Sequence, residues 1–173
     1  MLLVIGRRSS VRPRLAATTP ARAVAERNIR SAMGNENAKI NKFYAGGFLY
    51  NLATRSVLLH KRDNKAKVNP NQWAFFGGLN EGKETPKQTF ARELKEELGI
   101  EIPENKINPL CDYFNEELQT YRYVFFAESN LGKSQMQLNE GEGFDWIPFD
   151  KVFEYDLTEK TTKDLKTFVR LQK

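Results

Sequence analysis

Four glutamates at fixed intervals, Glu84, Glu93, Glu96 and Glu97, are the residues whose type and spacing could do chemistry. Glu93, Glu96 and Glu97 stand at i, i+3 and i+4, so on a helix their carboxylates project from one face. Like charges stacked this way repel by about 0.2–0.5 kcal/mol per exposed pair. Arg92 is the adjacent cation, while Lys95 points elsewhere. Clustered carboxylates beside a glycine-rich turn suit Mg²⁺, a hard cation that takes oxygen ligands and keeps water and phosphate in its shell. An isolated EXXEE reads as a salt-bridged surface helix, but Gly77-Gly78 ahead of it favours the metal. Other chemistries are poorly supplied. The chain has one histidine, His60, and one cysteine, Cys111, which excludes an internal disulfide and disfavours a zinc cluster or a Ser- or Cys-based triad.

The elements that must hold this face are legible. Thr85 is an N-cap, Pro86 sits at N1 and Gln88 at N3, which completes a capping box. Gly99 follows as the left-handed residue after the helix, with Ile100 as its apolar partner. Phe90, Leu94 and Leu98 recur at i, i+4 and i+8 as a buried stripe, with Ala91 beside Phe90. Strands are predicted over 43–51, 56–61, 73–76, 107–114, 121–129 and 144–147. Gly46-Gly47 lies inside the first, and the third ends at Gly77-Gly78. A polar loop covers 63–71, and Thr158 or Thr161 caps a closing helix through Val169. Trp73, Trp146 and the aromatic stripe over 121–126 read as core, His60 as structural and Cys111 as a buried hydrophobe. The order is α+β around one central helix, not a regular βαβ array.

With 173 residues, 40% hydrophobic and 28% charged, the chain suits one globular domain over 42–173. No apolar run reaches the roughly 18–20 residues needed to span a bilayer. The net charge of +5 is unevenly placed: residues 1–32 carry seven arginines and one acid, and the remainder is close to neutral. The body therefore has no global field for nucleic acid, which is not an expected partner. The segment over 1–41 reads as a disordered Arg-rich extension and lead-in. Three readings of 1–32 stay open: a dispensable extension with translation starting at Met33, an organellar transit peptide, or a basic arm. A cytoplasmic location is expected, or a mitochondrial or other organellar one if 1–32 is a transit peptide.

From Gly78 the sequence runs GLNEGKETPKQTFARELKEELGI, which resembles the Nudix box, GX5EX7REUXEEXGU with U aliphatic, at every fixed position. The wider resemblance covers about 42–170, and the box over 78–100 is the diagnostic part. It implies the Nudix fold, an α/β/α sandwich around a mixed β-sheet. It also implies Mg²⁺- or Mn²⁺-dependent hydrolysis of a nucleoside diphosphate linked to another moiety, with water attacking phosphorus. The resemblance makes Glu93, Glu96 and Glu97 metal ligands, with Glu96 or Glu97 as general base. Arg92 pairs with Glu84 or orients Glu93. Gly78 lets backbone approach metal or phosphate, and Gly77 and Gly82 support the loop. In 138–150, LNEGEGFDWIPFD, Glu140 matches a loop carboxylate that reaches the metal in MutT-like members, with Glu142 as its competitor and a substrate-side candidate. Members of the family are often homodimers.

Two departures bear on substrate. Phe76 stands where many members have proline before Gly-Gly, and Leu79 where MutT-like triphosphatases often have lysine. The compact body still looks most like MutT-type sanitising enzymes. The expected small-molecule substrate is a (deoxy)nucleoside triphosphate such as 8-oxo-dGTP, cleaved to monophosphate and pyrophosphate. ADP-ribose, a nucleotide sugar, a dinucleoside polyphosphate, RNA ends and a catalytically silent binding module are the alternatives. The base pocket is expected near Tyr44, Phe126 and the turn over 156–158.

Overall fold

The computed structural model describes residues 42–172; the expectations for the extension over 1–41 lie outside them. Strand β1 (Phe43–Asn51) is the hub of a seven-stranded mixed sheet. It runs antiparallel to β2 (Ser56–Lys61) and β4 (Phe76–Leu79), and parallel to β6 (Thr120–Glu128). Strand β2 also pairs with β3 (Trp73–Ala74) and β7 (Gly143–Pro148), while β5 (Ile107–Asn115) borders β6. Two helices, α1 (Pro86–Leu98) and α2 (Glu159–Leu171), complete the α/β/α sandwich. Among the described residues no helix is long and apolar enough to cross a membrane.

The period of two along β1 and β6 decides which helix each residue meets. Ala45, Leu49, Phe125 and Ala127 face the core that receives Phe90, Leu94 and Leu98 of α1. Phe48, Tyr50 and Val124 face the other core, which receives Leu165 and Phe168 of α2. Phe126 belongs to this second core, with its ring 5.0 Å from that of Phe168, so it is not part of a base pocket. The stripe read from α1 is fully buried, and Phe90 stacks on Phe125 at 5.9 Å.

The ends of α1 follow its caps. The Thr85 hydroxyl accepts from the Gln88 N–H at 3.3 Å, and the Gln88 side chain accepts from the Thr85 N–H at 3.0 Å. Gly99 closes the helix at φ 66°, with its N–H donating to the Lys95 carbonyl. Thr158 caps α2 through the Thr161 N–H.

One expected strand is two. The chain crosses from β2 to β1 between Ala74 and Phe76, so 73–76 is split between β3 and β4. Gly77 and Gly78 do not end a strand; they lie inside β4, opposite Gly46 and Ala45. Glycine carries no strand signal of its own, and only the small Gly46 lets Gly77, at φ 140°, approach so closely.

Because α1 is fixed by its core face more than by its cap, Phe90→Ala should cost about 3–5 kcal/mol. Thr85→Ala should cost only about 1 kcal/mol. Urea unfolding of the full chain measures both, and similar losses at the two positions would contradict this division.

Candidate active site

Strand β4 and helix α1 bring backbone and carboxylates together. The Gly77 N–H donates to Glu97 Oε1 at 2.9 Å, and Glu97 is 4% exposed. Its other oxygen is buried with no hydrogen-bond partner among the described residues, although His60 Nδ1 lies 3.3 Å away. His60, on β2, is buried with its ring centroid 4.9 Å from that of Phe76. Gly78 is glycine for a steric reason: a Cβ there would collide with the Glu93 carboxylate.

Arg92 ties the rest of the cluster. Its Nε donates to Glu84 Oε1 at 2.9 Å. Its Nη1 donates to Glu93 Oε1 at 2.9 Å and to Glu96 Oε2 at 2.8 Å, and its Nη2 to the Leu79 carbonyl at 3.0 Å. Glu84 also accepts from the Glu81 N–H and the Thr89 hydroxyl. The Arg92 hydrogen bond, followed by these, holds the Glu84 carboxyl below the usual range. Glu93 goes the other way: burial pushes it up to about 7, with Glu97 and Glu96 adding to the shift against Arg92. The three box carboxylates therefore do not form one solvated face. Arg92 spans Glu93 and Glu96, while Glu97 turns inward onto β4.

Among the described residues no three acidic, histidine or cysteine side chains converge closely enough to hold an ion as they stand. The donor set nevertheless suits a hard divalent cation. Glu93, Glu96 and Glu97 supply oxygen from adjacent turns of one helix, the buried Glu97 Oε2 lacks a donor, and Gly78 keeps the space beside Glu93 open. These are the residues that could hold a metal.

The loop before β7 meets this region from the other side. The Asn139 N–H donates to the Glu97 carbonyl at 2.9 Å and its side chain to the Glu96 carbonyl at 2.8 Å. Gly141 packs against Lys61 and His60. Glu140, between them in sequence, is exposed. Glu142 pairs instead with Lys61, at 2.9 Å.

A cleft of about 450 Å³ opens beside Gly77, on the face of the sheet that carries α2, with Tyr44, Leu79, Asn115, Arg122 and Thr158 among its walls. Tyr44 and the 156–158 turn were expected here; Asn115 and Arg122 were not. The signal for Arg122 was present, a charged residue in register with Val124 on the inward face of an aromatic-rich strand. His60 likewise lies against Glu97, a contact that nothing near it in the sequence announces.

The NUDIX domain family model matches residues 41–171. The nucleoside triphosphatase NudI of Escherichia coli is 26% identical over 123 residues, covering 64% of this chain and 86% of its own length. A structure from work on MutT of Aliivibrio salmonicida and Vibrio cholerae superposes with a TM-score of 0.63 at 20% identity, covering 75% of this chain and 98% of that one. The NUDIX domain of Shewanella oneidensis NrtR, complexed with ADP ribose, gives 0.60 at 18% identity, covering 84% and 98%. These likenesses carry the fold, and the family match spans the sheet, both helices and the whole carboxylate cluster. The chain belongs to the NUDIX domain family, as a Nudix-type hydrolase acting on phosphoanhydride bonds of nucleotides.

Proposed function

We propose that the substrate is a (deoxy)nucleoside triphosphate, with 8-oxo-dGTP as its oxidised representative, hydrolysed with Mg²⁺ to monophosphate and pyrophosphate. The observation that carries this reading is the continuity at Gly77. One side of that residue donates its N–H to the carboxylate cluster, and the other borders a cleft large enough for a nucleoside. The kinship with a nucleoside triphosphatase supports it. The Leu79 departure argues for testing ADP-ribose and dinucleoside polyphosphates alongside.

Glu93, Glu96 and Glu97 would hold the cation, and Glu140, in the loop whose Asn139 bonds the Glu96 and Glu97 carbonyls, would join them. A bound Mg²⁺ would supply neutralisation of the diphosphate and stabilisation of charge on the leaving oxygen. Arg92 and Glu84 keep the box turn closed, so Glu93 and Glu96 stay near Gly78. The glycine backbone lets phosphate oxygens approach without a side chain intervening. Attacking water must lose a proton, and a carboxylate beside it can accept one. Glu96, the most exposed of the three, suits that role; Glu97 is the second candidate only where its one free oxygen is not bound to the cation.

Two measurements test this. Full-length protein with Mg²⁺ should release pyrophosphate from a triphosphate panel that includes 8-oxo-dGTP. Monophosphate products appearing only from ADP-ribose or a dinucleotide would keep the chemistry and replace the substrate; Mn²⁺ in a parallel series separates metal preference from base preference. Second, Glu97→Gln should lower kcat/KM well over tenfold and weaken Mg²⁺ binding by calorimetry. Its melting temperature should stay close to wild type, because the amide oxygen can still accept from Gly77. An unchanged rate would move the metal site away from Glu97.

A further inference from the structure

A buried ion pair stands at the cleft wall, outside the carboxylate cluster. Arg122 is 7% exposed and Asp164, on α2, is 1% exposed. The Arg122 Nε donates to Asp164 Oδ2 at 3.2 Å. Asp164 also accepts from the Tyr113 hydroxyl at 3.4 Å and, weakly, from the Cys111 thiol at 3.8 Å. The guanidinium lies over the ring of Tyr44, its cross-strand neighbour, at 4.4 Å from carbon to centroid. Among the described residues the terminal amino groups of Arg122 donate to no carboxylate or carbonyl, with the Tyr44 hydroxyl in reach of the guanidinium, and the residue lines the cleft.

Packing does not account for this arrangement. Val124 and Phe126 follow Arg122 on the same face of β6 and are apolar, as the core beneath α2 requires. A buried ion pair adds little net stability over an apolar pair of similar volume. What it adds here is a fixed fork of donors at the cleft wall. Its charge is already balanced by Asp164, so the fork suits a neutral acceptor better than a phosphate, which draws on net positive charge.

We infer that Arg122, held by Asp164, reads the base of the substrate and that this base is a 6-oxopurine. The inference rests on the nucleotide reading above and narrows it. Two parallel N–H donors match the adjacent O6 and N7 acceptors of guanine or hypoxanthine. Adenine presents an amino donor in place of O6, which sets donor against donor and leaves buried N–H groups unpaired. Uracil offers the oxygen without the neighbouring nitrogen acceptor. Tyr44 supports the guanidinium plane from below, so the fork keeps its orientation when the cleft is empty.

The test is binding of monophosphates to the full chain by calorimetry without added metal, so it is independent of hydrolysis. GMP and IMP should bind roughly tenfold to a hundredfold tighter than AMP, with UMP and 7-deaza-GMP between. Arg122→Lys keeps the charge beside Asp164 but loses the fork, and should bring the GMP-to-AMP ratio close to one. The double variant R122M/D164N removes both buried charges together and should do the same with the melt still cooperative. Equal affinity for GMP and AMP in the wild type, or no binding of either, overturns the inference. So does an undiminished GMP preference in Arg122→Lys or in the folded double variant. If GMP is preferred but no triphosphate is hydrolysed, the triphosphate reading fails and the base assignment stands.

Discussion

One guanidinium holds the active region in shape. Arg92 donates to Glu84, Glu93 and Glu96 and to the Leu79 carbonyl, which joins the start of the box, its end and the loop from β4 through a single side chain. Three of these acceptors carry like charge, and in a partly buried setting their repulsion is screened less than it would be in water. Without a shared cation they would separate. Lysine could not take this place, since a single ammonium lacks the planar fork that reaches acceptors on two sides at once. The loop between β4 and α1 is pinned at its start by Asn80, which exchanges hydrogen bonds with Phe43, and is closed at its end by the Glu84–Arg92 pair.

That network works only because α1 is already immobile. Phe90, Leu94 and Leu98 bury one side of the helix against β1, β4 and β6, which aims the adjacent side at Gly77 and Gly78. The pleat of β1 then divides the labour. Residues facing α1 form the bed of the carboxylate cluster, and residues facing α2, with Tyr44 at their head, line the cleft. Gly46 and Gly77 lie where these halves meet, and their lack of side chains lets two strands close up directly beneath the cluster. A substrate crossing from one half to the other passes over backbone, not side chains.

The box helix was the most legible part of the chain because its signals are local. Its cap residues, stripe and terminal glycine lie within one short segment, and each turned out where the spacing put it. The Arg92 contacts to Glu84 and Glu93 were legible for the same reason. The misread features all depend on partners distant in sequence. Gly77 and Gly78 are in a strand only because Gly46 and Ala45 lie opposite. Glu97 turns away from its two companions because β4 offers it an N–H. His60, read as structural, is buried, and its place beside Glu97 depends on β2 lying next to α1. Arg122 is unremarked in sequence because its partner Asp164 is 42 residues away on another element. Periodicity gives the face a residue occupies; it does not give what waits on that face.

The carboxylate cluster and the cleft meet at Gly77 and differ in charge balance. On the cluster side four carboxylates, Glu84, Glu93, Glu96 and Glu97, stand beside one guanidinium that pairs with the first three, and Glu93 is pushed up to about 7 by burial and its neighbours. Such a cluster has more negative charge than it can compensate, and adding a polyphosphate makes the excess worse. Additional cations would bring the two together, as the proposed metal-dependent hydrolysis requires. In the cleft Arg122 and Asp164 cancel and Lys160 pairs with Glu117, while Arg62 lines the wall with no carboxylate partner among the described residues. On the proposed reading a nucleotide's phosphates meet the metal beside the glutamates while its base reaches the Arg122 fork, so the backbone of Gly77, not a side chain, lies between the two recognition steps.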